Sequence, residues 1–193
     1  MSAVRLVLAT RNDHKAREFG DLLAPHEVVA LPDEVVLPPE DGDTFEANAL
    51  GKARAAAQAT GQVVIADDSG IEAEALGGRP GVRSARFAGE DATDEENLAK
   101  LLREAPAGSA VAYVCAIAHV DPGTGEEHVF EARCTGTLAA QPRGDGGFGY
   151  DPAFVPDDDP TDRTMAELDP DEKAAISHRG RAARELLAWL AMR

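Results

Sequence analysis

Two neighbouring aspartates near the middle of the chain are the first candidates for chemistry. The apolar run Val63–Ala66 is followed directly by Asp67 and Asp68. Adjacent carboxylates repel each other unless a cation neutralises them, and a divalent metal with oxygen ligands is the natural partner. Taken alone, the pair fits a solvated loop equally well. An ordinary P-loop enzyme is excluded, because Gly51-Lys52 is followed by Ala53 and lacks the upstream glycine.

A polar loop near the N-terminus has the layout of an anion site. The apolar run Val4–Ala9 predicts a buried strand that ends in Thr10–Asp13, and apolar residues then recur at helical spacing as far as Leu23. A strand, a tight loop and a helix in this order present backbone N–H groups to an anion. The position of Lys15 is informative because lysines are rare in this chain. They are Lys15, Lys52, Lys100 and Lys173.

A glycine-rich segment matches a nucleotide-binding pattern in the wrong context. Gly144–Gly149 fits G-x-G-x-x-G, yet Tyr150-Asp151-Pro152 follows, and a residue before proline avoids helical geometry. A dinucleotide site needs a helix at this point, so that site is excluded. The segment instead predicts a loop that presents Phe148 and Tyr150 to a flat ring such as a purine base. A purely structural turn is the alternative.

Ser177-His178-Arg179 looks like part of a hydrolase triad. A serine nucleophile needs a strained elbow and a distant histidine, and neither is evident in the sequence. His178 and Arg179 at the start of a helix are better suited to face a ligand, because the guanidinium of Arg179 can make two hydrogen bonds to an acceptor edge.

The elements that carry these residues alternate between helix and strand. Asp43 or Thr44 predicts the cap of a helix that ends before Gly61, with Glu46 completing a capping box from Asp43. Gln62–Ala66 then predicts a strand that carries the two aspartates at its carboxyl end.

The second half of the chain continues the pattern. Thr93–Glu96 predicts a capping box, and the β-like runs Ala110–Val120 and His128–Leu138 predict an antiparallel pair. Asp169-Pro170 and Ser177 predict the starts of two further helices. The fold class expected is α/β, with a mixed β-sheet flanked by helices.

Composition and net charge limit the classes of binding partner. The chain has 193 residues and a formal charge of −16, with 44% hydrophobic and 28% charged residues. One globular domain over residues 1–193 is expected. The negative charge argues against nucleic acid and an anionic membrane as partners. We expect a cytoplasmic protein with two buried thiols, Cys115 and Cys134, because no signal peptide or membrane-spanning stretch is apparent.

Together these segments resemble the inosine/xanthosine triphosphate pyrophosphatases, the non-standard purine nucleoside triphosphate pyrophosphatase family. The blocks span the whole chain in the family's order. They are Thr10–Lys15 with Glu18, Thr44–Ala49 with Lys52-Ala53, Ala66–Gly70, Pro80–Val82 with Ser84–Arg86, Gly89–Asp94, Gly146–Pro152 with Phe154, Met165–Leu168, Glu172-Lys173 and Ile176–Gly180.

The resemblance implies a two-lobed fold with the active-site cleft between the lobes, and Mg²⁺-dependent hydrolysis of ITP, dITP and XTP to the monophosphate and pyrophosphate. It also implies a homodimer. In the family's pattern the N-terminal loop holds the triphosphate with Lys15 as its main cation, and the residues matching Phe148 to Asp151 form one wall of the nucleotide site. The substrate-binding positions implied are Thr10, Arg11, Asn12, Asp13, His14, Lys15, Ser69, Phe148, Gly149, Tyr150, Asp151, Lys173, His178 and Arg179.

Asp68 matches the family's catalytic carboxylate and one of its metal positions. Glu40 matches the second metal position, with Glu46 as the alternative if the register slips. A carboxylate bound to Mg²⁺ is a poor proton acceptor, so either Asp67 or Asp68 can be the residue that orients the attacking water. The chain departs from the family at Arg11, where a small residue is usual.

Two other functions remain open at this point. One is a pyrophosphatase for modified pyrimidine triphosphates, which would not need His178 and Arg179. The other is a nucleotide-binding protein without catalysis, which would not need to retain Lys15 and both aspartates.

Overall fold

The computed structural model describes residues 3–193, and within that range it contains five α-helices and one six-stranded sheet. The strands are β1 (Arg5–Leu8), β2 (Glu27–Ala30), β3 (Val64–Ala73), β4 (Ala110–Asp121), β5 (Glu126–Leu138) and β6 (Phe154–Pro156). The helices are α1 (Asp13–Leu22), α2 (Phe45–Thr60), α3 (Asp94–Glu104), α4 (Pro170–Ile176) and α5 (His178–Leu190).

The sheet is mixed, as the sequence predicts. Its strand order is β2-β1-β3-β4-β5-β6. Strand β1 lies parallel to both neighbours, so that Val7 is opposite Val29 in β2 and Val64 in β3. Strands β5 and β6 are antiparallel. The short connection between the adjacent strands β4 and β5 allows only an antiparallel pair. The predicted pairing of these two long runs is therefore confirmed.

The chain divides into two compact units. The first contains the described residues up to Asp68 together with Cys115–Ala132 and Ala182–Arg193. Its core includes Leu6, Leu8, Phe19, Ile65, Ile117 and Leu186. The second contains Ser69–Val114 and Arg133–Arg181. Its core includes Ile71, Leu101, Tyr113, Leu138, Phe154 and Met165. The consecutive residues Asp68 and Ser69 of β3 thus belong to different units.

Helix starts follow the predicted capping chemistry with one exception. Thr93 forms a capping box with Glu96 at the start of α3, and Asp169 forms one with Glu172 at the start of α4. Ser177 caps α5 by accepting a hydrogen bond from the N–H of Gly180 at 3.0 Å.

The exception is the start of α2. Thr44 caps this helix, and its hydroxyl accepts a hydrogen bond from the N–H of Ala47 at 3.1 Å. The predicted capping box between Asp43 and Glu46 is wrong, because with Thr44 as the cap the third helical residue is Ala47.

Strand β3 is longer than predicted. The expected strand ended at Ala66, whereas β3 runs to Ala73 and carries the two aspartates within it. The strand continues because the N–H of Ile71 donates to Ser84 Oγ at 2.8 Å and Gly70 has no side chain, so its backbone can pass close to Gly81 and Ser84. The four-residue β2 and three-residue β6 were not predicted, since strands of that length show little periodicity.

Both cysteines are buried free thiols, as expected. Burial raises the pKa of Cys134 to about 12, which leaves its thiol protonated at neutral pH. None of the helices that the structure describes is long and apolar enough to cross a membrane.

Candidate active site

Two clusters of polar residues occupy the two units. The first, called here the carboxylate–lysine cluster, belongs to the first unit and consists of Lys15, Glu40, Asn48, Lys52, Asp67 and Asp68. The second, called the aromatic–basic cluster, belongs to the second unit and consists of Ser69, Tyr113, Phe148, Asp151, Lys173, His178 and Arg179.

Lys15 reaches the first cluster from the first turn of α1. The side chain of Asn12 caps this helix by accepting hydrogen bonds from the N–H groups of His14 and Lys15 at 2.9 and 3.1 Å. The ammonium group of Lys15 lies 2.8 Å from Oδ2 of Asp67, whose side chain is fully buried. The predicted loop and one predicted aspartate therefore meet in the folded chain.

Lys52 is the buried cation of the cluster. Its Nζ donates to the carboxylate of Glu40 and, at 2.6 Å, to the backbone carbonyl of Asp67. Burial alone would lower the pKa of Lys52, but the negative charges of Asp67, Glu40 and Asp68 outweigh burial, so the pKa is raised. Lys52 is therefore charged, and it joins the segment that carries Glu40 to β3.

Asp68 is a buried carboxylate whose pKa is raised in the folded protein. Burial raises its pKa, and the nearby charge of Glu40 raises it further. Lys52, a hydrogen bond from Asn48 and Lys15 act in the opposite direction without cancelling those effects. The Nδ2 group of Asn48 donates to Asp68 Oδ2 at 2.8 Å. A positive ion beside Asp68 would favour its ionised form.

The donor set fits Mg²⁺ better than a metal held by protein alone. Among residues 3–193, no group of three or more histidine, cysteine, aspartate or glutamate side chains could hold a metal ion by itself. Glu40 is close enough to Asp68 for its charge to raise the pKa of Asp68. Mg²⁺ is commonly held by one or two carboxylates, with water and substrate phosphates completing its shell. These two residues suit that arrangement.

Asp151 organises the second cluster. Its Oδ1 accepts a hydrogen bond from the hydroxyl of Tyr113 at 3.1 Å, and its Oδ2 accepts from the N–H of Phe148 and from Nζ of Lys173, each at 2.9 Å. Gly147 has a φ of 70°, and a Cβ at this position would collide with the Asp151 carboxylate. The glycine-rich segment is therefore a tight loop built around one buried carboxylate.

Aromatic rings give this cluster its shape. Tyr113 is sandwiched between Phe154 and His178, with ring centroids 4.4 and 4.5 Å apart and interplanar angles of 21° and 15°. The half-buried ring of Phe148 lies 5.3 Å from the ammonium of Lys173 and 5.5 Å from the guanidinium carbon of Arg179. The cluster thus combines flat apolar surface with cationic donors.

Arg179 lies at the start of α5, as predicted, and is almost fully buried. Its Nη2 donates to the hydroxyl of Ser69 at 3.0 Å. Burial of Tyr113 raises its pKa well above the ordinary value, and the charge of Asp151 adds to that effect, so Tyr113 remains a hydrogen-bond donor.

Several predicted site residues have other contacts in the structure. The guanidinium of Arg11 donates to the carbonyls of Leu31, Pro32, Asp33 and Val35, at distances of 2.7–3.3 Å. It therefore tethers the segment after β2, and these contacts give no support to a direct role in phosphate binding.

Other predicted positions support the loops from within. Thr10 Oγ1 accepts a hydrogen bond from the N–H of Asn12, while Asp13 and His14 are exposed. Tyr150 is buried in the core, where its hydroxyl donates to the carbonyl of Ser84 at 2.7 Å. The N–H of Gly149 donates to Asp94 at 3.0 Å.

Glu46, the alternative to Glu40, is exposed in the first turn of α2. Of the two glutamates, Glu40 is the one that contacts Lys52.

Three residues of the clusters were not predicted as site residues. Lys52 carried a signal, because it is one of few lysines and lies in a recognised block. Asn48 lies four residues before Lys52 on α2, and a buried polar residue at that spacing indicates a shared helix face. Tyr113 had no signal, because it lies in a strand run where aromatic residues are expected as core.

Comparison with known proteins finds a matching family model and relatives with high sequence identity. The model of the Ham1 family matches residues 6–189. The dITP/XTP pyrophosphatase of Geobacillus kaustophilus is 50% identical over 190 residues, covering 94% of this chain and 91% of the relative. The dITP/XTP pyrophosphatase of Symbiobacterium thermophilum is also 50% identical, over 196 residues, covering 98% of this chain and 96% of the relative.

Solved structures agree with the sequence comparison. A HAM1 protein from Coxiella burnetii superposes with a TM-score of 0.86 at 39% identity, covering 98% of this chain and all of that one. A nucleoside-triphosphatase, or dITP/XTP pyrophosphatase, from Mycobacterium abscessus gives a TM-score of 0.72 at 44% identity, covering 95% and 98% of the two chains. Because the family model matches residues 6–189, which is nearly the whole chain, the chain belongs to the Ham1 family.

Proposed function

We propose that this chain hydrolyses non-standard purine nucleoside triphosphates, namely ITP, dITP and XTP, to the monophosphate and pyrophosphate. The observation that supports this most is the carboxylate–lysine cluster, in which Lys15 lies 2.8 Å from Asp67 and its charge acts on Asp68. A cation for a polyphosphate and carboxylates for a metal are both required for phosphoryl chemistry, and here they are adjacent.

In this proposal the residues of the first cluster act on the triphosphate. Lys15 and the N-terminus of α1 bind phosphate oxygens. Asp68 orients the water that breaks the bond between the α and β phosphates. Asp68 is preferred to Asp67 for this role, because Asp67 is fully buried and paired with Lys15, whereas Asp68 retains 5% exposure. Asp67 instead fixes the position of the Lys15 ammonium.

Glu40 and Asp68 would hold the metal ion, which we propose is Mg²⁺. When bound, Mg²⁺ would supply positive charge that neutralises phosphate oxygens and favours the ionised form of Asp68. Lys52 ties Glu40 to the backbone of β3.

The aromatic–basic cluster is proposed to select the base. The ring of Phe148 offers a stacking surface, with Lys173 and Arg179 beside it. A 6-oxo purine presents an acceptor at the position where adenine carries an amino donor. Donors of Arg179 or Lys173 aimed at that position would be left unsatisfied by adenine, so ATP is rejected on energetic grounds.

The direct test is a pyrophosphate-release panel with ITP, dITP, XTP, ATP, GTP and modified pyrimidine triphosphates, each with Mg²⁺ and with EDTA. We expect the first three to be hydrolysed with kcat/KM at least about 100-fold above that of ATP, and only with the metal present. Equal turnover of ATP or GTP would contradict the proposed selectivity. Preference for a modified pyrimidine would support the pyrimidine enzyme, and binding without release of pyrophosphate would support a non-catalytic role.

We also propose a cytoplasmic homodimer, as the resemblance to the family implies. Sedimentation of the purified chain at micromolar concentration tests the dimer, and a monomer mass would contradict it.

A further inference from the structure

Asn48 is the one residue of the carboxylate–lysine cluster that carries no charge. It lies on α2 and is only 5% exposed. Its Nδ2 donates to Asp68 Oδ2 at 2.8 Å, and its Oδ1 accepts from the N–H of Gly42 at 2.8 Å. The two partners fix the orientation of the amide, because rotating it by half a turn would place its oxygen against a carboxylate and its NH₂ against an N–H.

The backbone of Gly42 lies very close to the side-chain amide of Asn48. A Cβ at Gly42 would lie 2.7 Å from Asn48 Oδ1 and 3.1 Å from the Cβ of Ala47. Only glycine therefore lets the backbone approach the amide at this distance without displacement. Gly42 is two residues after Glu40, so the amide of Asn48 fixes the segment that carries this glutamate.

Lys52 lies four residues after Asn48, on the same face of α2. It binds the carboxylate of Glu40 and the carbonyl of Asp67. One helix face thus contacts both segments that carry the proposed metal ligands, and each of the two side chains contacts both. Asn48 hydrogen-bonds both to the Asp68 carboxylate and to the Glu40 segment.

We infer that Asn48 is a positioning residue, which holds the Asp68 carboxylate in a fixed rotation relative to the Glu40 segment. This inference rests on the proposed function, since it matters only if Asp68 and Glu40 act together. The terminal torsion of an aspartate has a broad energy minimum, so packing alone does not fix the carboxylate plane. Partners that orient metal-ligating groups typically change metal affinity or activity by about 10- to 100-fold when they are removed.

The chain offers a matched control in Asn97. This residue is 2% exposed on α3, its Oδ1 accepts from the N–H of Ala88 at 2.8 Å, and its Nδ2 donates to the carbonyl of Ala85 at 3.0 Å. Asn97 therefore ties a loop to a helix as Asn48 does, but it contacts no carboxylate. The same substitution at the two positions separates positioning of Asp68 from loss of a buried amide.

The experiment compares Asn48→Ala with Asn97→Ala. Mn²⁺ affinity is measured on the substrate-free proteins by electron paramagnetic resonance, and kcat and KM are measured for ITP with Mg²⁺. For Asn48→Ala we expect about tenfold weaker Mn²⁺ binding and a kcat lower by at least about tenfold, with KM within about threefold. Asn97→Ala is expected to lower thermal stability and to leave Mn²⁺ affinity and kcat within about twofold.

Asn48→Asp identifies the hydrogen bond responsible. This variant keeps an oxygen for the N–H of Gly42 but removes the donor to Asp68. We expect a loss of kcat at least equal to that of Asn48→Ala, while recovery to wild-type kcat would show that only the tie to Gly42 matters and would overturn the inference. Equal losses of Mn²⁺ affinity in the Asn48→Ala and Asn97→Ala proteins would overturn it as well.

Failure of the proposed function has a different signature. Wild-type protein that does not hydrolyse ITP would refute the proposed function, whereas the Mn²⁺ comparison between the two alanine variants can be read without any substrate. Mn²⁺ affinity unchanged by Asn48→Ala would refute the role of Asn48 even if ITP is hydrolysed normally.

Discussion

The two clusters differ in how much of their contact is between charged groups and how much is between stacked rings. In the carboxylate–lysine cluster, charged groups are placed by other charged groups, and the buried Lys52 bridges Glu40 and the backbone of Asp67. In the aromatic–basic cluster, stacked rings pack beside one buried carboxylate, Asp151, with Tyr113 between Phe154 and His178. The carboxylate–lysine cluster is a network of charges whose carboxylates can bind a further cation. The aromatic–basic cluster is a packed apolar surface with hydrogen-bond donors at its edge.

This difference predicts how each cluster fails. Loss of one member from a network of buried charges leaves its partners uncompensated, so the chemistry fails abruptly. Loss of one ring from a stack leaves a cavity and some freedom for its neighbours, so binding and selectivity decline gradually. Substitutions in the first cluster should therefore act on kcat, and those in the second on KM and on the choice of base.

The largest effect is expected for Asp68→Asn. This variant keeps the shape of the side chain and removes the proposed catalytic charge, so kcat for ITP should fall by on the order of 10³-fold or more. Pyrophosphate release at saturating ITP measures the loss. Normal turnover by this variant would show that Asp68 is not catalytic. It would also contradict the expectation that substitutions in the carboxylate–lysine cluster act mainly on kcat.

The same variant has a pH-dependent signature in stability. The pKa of Asp68 is raised in the folded protein by burial, so ionisation of this group opposes folding. Ionisation of Asp68 costs no stability below the ordinary aspartate pKa. The cost to the free energy of unfolding grows as the pH rises from there through the raised pKa of Asp68 in the folded protein. Without metal, Asp68→Asn should therefore be more stable than wild type at neutral pH and lose that advantage in acid. Urea unfolding in EDTA at several pH values measures this difference.

An intermediate effect is expected for Arg179→Lys in the second cluster. Lysine keeps the positive charge but loses the planar pair of donors, so the ratio of kcat/KM for ITP to that for ATP should fall roughly 10- to 100-fold. Arg181→Lys is the control, because Arg181 lies on the same helix and pairs with Asp158 instead. An unchanged ratio in Arg179→Lys would assign base selection to other residues.

The smallest effect is expected for Tyr113, and it distinguishes the ring from the hydroxyl. Tyr113→Leu removes a stacked partner of His178 and should raise KM for ITP by up to about tenfold, with kcat nearly unchanged. Tyr113→Phe keeps the stack, and Asp151 Oδ2 retains its bonds to Phe148 and Lys173, so KM should rise by less than about threefold. Leu101→Ala, a core change in the same unit, controls for destabilisation. A larger change in kcat than in KM for Tyr113→Leu would contradict the expectation that the aromatic–basic cluster acts on binding.

The sequence predicted local structure well where side chains bond to nearby backbone. The caps at Thr93, Asp169 and Ser177 follow from contacts within three residues, and all three are confirmed. The resemblance to the family and the mixed α/β fold are also confirmed. The predicted strand ended too early, because the continuation of β3 depends on a hydrogen bond between Ile71 and Ser84, which are 13 residues apart.

The candidate site was predictable only in part for the same reason. Lys15 and Asp67 belong to separate motifs, and their contact agrees with the expectation that both motifs serve one ligand. The tether formed by Arg11 to the segment after β2 depends on four backbone carbonyls whose position no pattern reveals. The partnership of Asn48 with Asp68 likewise exists only in three dimensions.

Strand β3 limits how the gene can be rearranged. Because Asp68 and Ser69 are consecutive yet belong to different clusters, splitting the chain at this point would place the residues proposed for catalysis and those proposed for recognition on separate fragments. The exposed turn at residues 122–125 between β4 and β5 carries none of these residues. A reporter domain or affinity handle is therefore better inserted at that turn.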